Sequence, residues 1–178
     1  MSSRTFATAL LFSTAAALAD PGLARGAECP LLMARTPSSV HADTDRGGAK
    51  ISVRTTEDVT LEILLAGLGD AEHLLELRFL LPTGELFERI EVPIARPGTS
   101  PRELAAGRVL PGHPHPVPQH AAEPLEVEGK PYARLRVPFP IAGTAIVHNS
   151  LYGRWTVEAY LDGAERPCGP ALPLQIGR

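Results

Sequence analysis

Seven short stretches of the sequence alternate apolar and polar residues, and this alternation restricts the chain to a β-rich fold. Within residues 153–161, Trp155 and Val157 fall on one face of an extended chain, and Arg154 and Glu158 fall on the other. The same period of two runs through residues 50–55, 59–66, 75–81, 86–94, 132–139 and 172–176. Turn signals rich in proline and glycine separate these stretches. The pattern predicts an all-β fold, a single antiparallel sandwich of about seven strands.

The alternation also predicts which side chains face the core. Trp155 belongs to the inward set of its strand, whereas Tyr160 belongs to the outward set. In residues 86–94, Leu86 has the same parity as Ile90, so both are expected to point inward.

The N-terminus predicts export from the cytoplasm. Arg4 precedes a stretch of apolar and small residues from 7 to 19, and Ala17-Leu18-Ala19 offers a cleavage site. This arrangement is typical of a secretory signal peptide over residues 1–19, although cleavage after Ala24 also fits. No later apolar run approaches the ~20 residues that a spanning helix needs, so we expect no membrane span in the mature chain. The predicted location is the periplasm or the outside of the cell.

The two cysteines predict one disulfide. An exported chain meets an oxidising environment, which favours a bond between Cys29 and Cys168. A lipid anchor on Cys29 is disfavoured, because Glu28 stands where a lipoprotein signal has a small residue. The bond would tie an N-terminal lead, residues 20–49, to a domain spanning residues 50–178. On the chain-entropy model such a long loop contributes about 4–5 kcal/mol.

Residues 95–131 interrupt the alternation with a segment rich in proline, histidine and glycine. The segment is too long for a hairpin loop, so it predicts a crossover between sheets. Ser100 is a candidate N-cap, and Glu103 three residues later completes a capping box. With Pro101 at the first helical position and Gly107 at the end, one or two helical turns are expected.

Two hairpins resemble those of a known group of proteins. The sequence Gly-Arg-Trp-Thr-Val-Glu-Ala-Tyr-Leu-Asp-Gly at 153–163 resembles the last hairpin of bacterial secreted Ig-like modules, and Phe-Leu-Leu-Pro-Thr-Gly-Glu-Leu at 79–86 resembles a central one. The resemblance covers roughly residues 50–176 and implies an Ig-like sandwich without catalytic residues. The long segment 95–131 and the Cys29–Cys168 pairing depart from it.

Two clusters are candidate binding sites. His113, His115 and His120 could bind Cu(II) or Zn, because neutral imidazoles are common ligands and the adjacent prolines stiffen the loop. The alternative is a solvated loop with adventitious metal affinity. A second candidate is the polar sequence His148-Asn149-Ser150, which could contact a ligand or form a simple turn.

These features favour a binding protein over an enzyme. The sequence has no G-x-S-x-G motif, and both cysteines are assigned to the disulfide. A net charge of −3 without a basic stripe disfavours nucleic acid. We therefore expect a non-enzymatic exported Ig-like module that binds a protein or a cell-envelope component. The alternatives are a periplasmic Cu- or Zn-binding protein and, third, an adhesin or carbohydrate-binding module.

Overall fold

The computed structural model describes residues 28–35 and 49–178. These residues form nine strands and two short helices. The strands are β1 (Glu28–Arg35), β2 (Ala49–Ser52), β3 (Asp58–Ala66), β4 (His73–Leu80), β5 (Leu86–Ile94), β6 (Glu123–Val127), β7 (Lys130–Pro140), β8 (Gly153–Leu161) and β9 (Leu172–Gly177). The helices are α1 (Pro101–Ala106) and α2 (Ala145–His148).

The strands form two sheets with the order of an immunoglobulin-type domain. One sheet has the order β1-β3-β7-β6 and the other β2-β9-β8-β4-β5. Neighbouring strands are antiparallel, except that β2 runs parallel to β9. In immunoglobulin lettering the first sheet is A-B-E-D, and the second contains G-F-C with β5 added at its edge. The chain therefore folds as an Ig-like β-sandwich, as the sequence predicts.

The core lies between the two sheets and is built from the inward residues of their strands. Trp155, Phe79 and Phe139 are the largest fully buried side chains. The rings of Phe79 and Phe139, which come from opposite sheets, stack with their centroids 4.0 Å apart. The Trp155 indole donates a hydrogen bond from Nε1 to the carbonyl oxygen of Leu151 at 2.9 Å, which satisfies its one polar group. The predicted burial of Trp155 is confirmed.

All seven predicted strands are present, and two further strands were not predicted. β6 lies inside the segment 95–131, so the irregular crossover is shorter than expected. β1 lies inside the N-terminal lead. Strand β6 was not predicted, because it is an edge strand with no buried residue and its sequence shows little alternation of apolar and polar residues.

The inward set of β5 differs from the prediction at one end. The pairing of β4 with β5 shifts register between Phe79 and Leu80, where a bulge adds a residue to β5. Leu86 is consequently 50% exposed, and Phe87 is partly buried and packs against the core instead. The prediction that Leu86 points inward is wrong, because a bulge reverses parity beyond it.

Prolines restrict the free edge that β6 and β7 share. Val127 and Lys130 close a two-residue turn and form a hydrogen-bonded pair. Because hydrogen-bonded and non-hydrogen-bonded pairs alternate along antiparallel strands, Pro124 belongs to a non-hydrogen-bonded pair and its ring nitrogen faces away from β7. Ile141 donates a backbone hydrogen bond to Glu57 at 2.8 Å, which places the nitrogens of Pro138 and Pro140 on the side away from β3. Since proline has no N–H, this edge offers few donors to another strand.

The disulfide between Cys29 and Cys168 is present, with an S–S distance of 2.02 Å and a sequence separation of 139. Cys29 is fully buried on β1, and its amide donates to the carbonyl of Cys168 at 2.8 Å. The amide of Cys168 in turn donates to the carbonyl of Ala159 on β8 at 2.8 Å. The bond thus fastens the first described strand to the connection between β8 and β9.

The predicted signal peptide, residues 1–19, lies outside the described residues and stays a prediction. Among the helices of the described chain, none is long and apolar enough to cross a membrane.

Candidate functional site

The segment between β5 and β6 begins with helix α1, which forms as its sequence predicts. The Ser100 hydroxyl accepts a hydrogen bond from the Glu103 amide at 3.3 Å, and the Glu103 carboxylate accepts one from the Ser100 amide at 2.9 Å. This capping box satisfies amides that a helix N-terminus leaves without partners. The hydrogen bonds from Ser100 hold the pKa of Glu103 below its ordinary value.

The chain then forms a loop, residues 108–118, which we call the Pro/His loop. Its ends are joined by reciprocal backbone hydrogen bonds of 2.8 Å between Arg108 and Val117. Leu110, the third residue of the loop, is buried and anchors the loop to the rest of the protein. Gly107 precedes it with φ +74°, and a Cβ there would lie 2.6 Å from the carbonyl oxygen of Val117. Only glycine suits this position, so the loop is closed by a specific contact.

The tip of the Pro/His loop is presented to solvent. All six residues from 111 to 116 are exposed, and Val109 is 74% exposed although it adjoins the buried Leu110. Three prolines within the tip, at 111, 114 and 116, limit its conformations. A displayed loop of this kind, stiff and closed at its base, is a common form of binding surface on a β-sandwich.

His113 contacts β5. Its Nε2 atom lies 2.8 Å from Oε2 of Glu91, which joins the tip of the loop to the outer face of the second sheet. An open recess beside this contact is lined by Arg89, Glu91 and residues 111–113. His115 is exposed two residues further along the loop.

His120 has a different environment from the other two histidines. Its backbone pairs with the end of β5, donating to the carbonyl of Pro93 at 2.8 Å and accepting from the amide of Ala95 at 3.0 Å. Burial lowers the pKa of its imidazole below 6.5. Within residues 28–35 and 49–178, no group of three or more His, Cys, Asp or Glu side chains is arranged to hold a metal ion. The three predicted ligands are therefore not brought together, and metal binding stays a prediction.

The polar sequence His148-Asn149-Ser150 begins at the last residue of helix α2 and is exposed. Asn149 caps the helix through its backbone amide, and Ser150 has φ +52°. These residues form a tight turn into β8, which is the simpler of the two interpretations that the sequence allows. A ligand-binding role for them stays a prediction.

The outer face of the second sheet carries a cluster of charges. Arg78 and Arg89 both contact Oε1 of Glu76, and Arg78 also lies over the ring of Tyr160, 3.8 Å from its centroid. Tyr160 is only 7% exposed for this reason, although it faces outward as predicted. Its hydroxyl donates to Glu158 at 2.7 Å, and this bond raises the pKa of the phenol.

One polar pair was not predicted from the sequence. Nδ1 of His73 lies 2.7 Å from Oδ2 of Asp162, and the other carboxylate oxygen accepts from the amide of Leu74 at 2.8 Å. The Nε2 atom of His73 is buried without a hydrogen-bond partner. The residues are 89 apart in sequence, so the only available signal was the position of Asp162 at a hairpin turn.

No protein-family model matches the chain, and no curated protein matches it. Several solved structures, including the following two, are similar at low identity. An immunoglobulin-like protein from Pseudomonas aeruginosa is 11% identical, with a TM-score of 0.44, covering 88% of this chain and 100% of that one. A CARDB domain from Pyrococcus furiosus, solved in complex with di-metal ions, is 10% identical, with a TM-score of 0.34, covering 84% and 90%. The fold assignment rests on the strand order of the two sheets.

Proposed function

We propose that this protein is an exported, non-enzymatic Ig-like module that binds a partner protein through the Pro/His loop. The observation that carries the proposal is the combination of a closed base and an exposed tip in residues 108–118. The base is held by Gly107, Leu110 and the backbone bonds of Arg108, while Val109 projects a large apolar side chain into solvent. Because the loop is already ordered in the free protein, it loses less conformational entropy on binding, which favours affinity.

The partner surface should be apolar or aromatic. The tip offers prolines and imidazoles, and extended proline-rich segments bind well to grooves lined with aromatic rings. Val109 would fill a pocket near the centre of such a contact.

The proposal is tested by site-specific photocrosslinking in cells. A crosslinking residue at Val109 or His115 should give the same adduct, and one at Thr83, an exposed turn on another part of the molecule, should not. Gly107→Ala, which loosens the loop, should reduce the adduct. Affinity of the purified partner for Val109→Asp should then fall at least tenfold, as expected for a central contact. Equal crosslinking from Thr83 and Val109 would contradict the proposal.

Export is tested separately. The exported protein should start at Asp20 or Arg25, contain no free thiol, and be two hydrogen atoms lighter than the reduced form. Deletion of residues 1–19 should leave the chain in the cytoplasm with reduced cysteines. Recovery of the intact N-terminus outside the cytoplasm would argue against cleavage of a signal peptide.

A second candidate function is binding of Cu(II) or Zn. The supporting observation is the His113–Glu91 contact of 2.8 Å, since an imidazole and a carboxylate at this distance can share a cation. Calorimetry on tag-free protein should show stoichiometric binding that weakens at acidic pH, because a protonated imidazole has no lone pair to donate to a metal. The double variant His113→Ala with His115→Ala should lose it, and His148→Ala should keep it. Weak uptake that is equal in the double variant would exclude the site; His120→Ala tests the third predicted ligand.

The carbohydrate-binding alternative has less support. Of the three tyrosines in the sequence, Tyr160 is covered by Arg78, and Tyr132 and Tyr152 are partly buried. Sugar binding usually uses an exposed aromatic face, which Tyr160 lacks.

A further inference from the structure

We propose that two copies of this chain associate through the edges of strand β5, forming one continuous sheet across the dimer. The dimer would use the backbone of β5 and would not require the Pro/His loop to bind a partner protein. It depends on which backbone groups face the edge, on the closure of the neighbouring edge and on the charges that a second copy would meet.

The middle of β5 has backbone groups that point away from β4. The carbonyl of Pro93 and the amide of Ala95 both bond to His120, which lies on the far side of β5 from β4. Because backbone direction alternates along a strand, the groups of Arg89 and Glu91 point the same way. His120 covers only the end of the strand. In the part of the chain that the structure describes, the amides and carbonyls of Arg89 and Glu91 have no backbone partner across this edge.

The neighbouring edge of the other sheet does not offer the same opportunity. Pro124, Pro138 and Pro140 lie where their nitrogens face outward along β6 and β7. By the same alternation an added strand would find isolated donors on that edge, such as the amide of Glu126, whereas β5 offers two successive donors, the amides of Arg89 and Glu91.

The charges on β5 are complementary to themselves in an antiparallel arrangement. If two β5 strands pair about Ile90, each Arg89 lies opposite Glu91 of the other copy, on the outer face of the sheet. The two residues of each pair would exchange backbone hydrogen bonds, and Ile90 would meet its counterpart on the inner face. Arg89 is half exposed and lies 3.5 Å from Glu76, so its guanidinium has donors to spare for a partner carboxylate.

An open recess lies beside this edge. It is bounded by Arg89 and Glu91 on one side and by residues 111–113 on the other. Glu91 would then lie between His113 of its own chain and Arg89 of the second copy, which is favourable for a carboxylate.

The test is a charge exchange followed by sedimentation analysis over a dilution series. The unmodified protein should form a dimer as concentration rises. Arg89→Glu places two carboxylates opposite each other at both pairs, and Glu91→Arg places two guanidinium groups there. Each single variant should weaken self-association roughly tenfold or more. The double variant with both changes should recover it, because the pairs are merely exchanged.

Mixing provides a second test that survives partial loss of stability in one variant. Arg89→Glu and Glu91→Arg should each be monomeric, yet together they should form a heterodimer, since every pair then joins opposite charges. Glu126→Arg, a charge reversal on the β6 edge, is the matched control and should not change association. A protein that stays monomeric at all concentrations, or a mixture that stays monomeric, would overturn the proposal. So would equal weakening by Glu126→Arg.

Discussion

The rings of Phe87 and Trp155 meet edge to face, with their centroids 5.0 Å apart and their planes at 73°. Edge-to-face packing is a favourable arrangement for aromatic rings. The contact exists because the bulge in β5 turns Phe87 inward and leaves Leu86 at the surface. The edge strand β5 is thereby attached to the centre of the core through one aromatic pair.

Trp155→Ala should lower the free energy of unfolding by about 3–5 kcal/mol, because it removes a fully buried ring and leaves a cavity. Trp155→Phe should cost less, since it keeps a ring but loses the hydrogen bond to Leu151. Urea denaturation under oxidising conditions measures both. A loss below about 1 kcal/mol for the alanine variant would contradict the burial of this residue.

Gly169→Ala should be strongly destabilising, although Gly169 is partly exposed. A Cβ there would lie 1.7 Å from the carbonyl oxygen of Cys29, so β1 must move away from the connection between β8 and β9. We expect a loss of about 1–3 kcal/mol or more in the free energy of unfolding. Gly69→Ala is the matched control, because no atom lies within 4 Å of the added carbon. Equal stability of the two variants would show that β1 does not pack closely here.

Gly107→Ala should open the Pro/His loop without unfolding the sandwich. The added carbon would clash with the carbonyl of Val117, which is the acceptor for the Arg108 amide. Hydrogen exchange at the amides of Arg108 and Val117 should accelerate, whereas exchange in β8 should not change. Gly98→Ala has a similar positive φ but meets no atom within 4 Å, so it isolates the backbone strain, about 1–2 kcal/mol. Unchanged exchange at Val117 would show that this contact does not close the loop.

The protein should lose stability as the pH falls below about 6.5, partly through His120. Burial lowers the folded-state pKa of His120, so the unfolded chain binds more protons between that lowered value and the ordinary one. The contribution is therefore complete above the ordinary pKa and is lost as the pH drops through the folded-state value. Proton NMR should show the His120 ring titrating below 6.5. His120→Gln should flatten the pH dependence of unfolding more than His115→Gln, which changes an exposed ring.

The fold could be predicted from the sequence because most of its strands bury one face. Strand β8 is an example. Trp155 and Val157 are fully buried, and the sequence of the strand therefore alternates between apolar and polar residues. β6 has no buried residue and left no such signal. The position of Leu86 could not be predicted, since a bulge is a property of the pairing between two strands.

The candidate site was predictable only in part. The capping box of Ser100 and Glu103 is local in sequence, and it forms as expected. The contacts of His113 with Glu91 and of His73 with Asp162 join residues 22 and 89 positions apart, and depend on the sheet that brings them together. Similarly, Tyr160 faces outward as its parity predicts, but Arg78 from a neighbouring strand covers it.

The bond between Cys29 and Cys168 has a consequence for proteolysis. Loops with exposed tips are preferred sites of cleavage, and residues 111–116 form such a tip. They lie within the covalent ring that the bond closes, so a single cut there opens the ring without dividing the molecule. The two fragments would stay joined by the disulfide as well as by the pairing of their strands, and would separate on a denaturing gel only after reduction. A protease could thus cut the exposed loop while the protein survived as one particle.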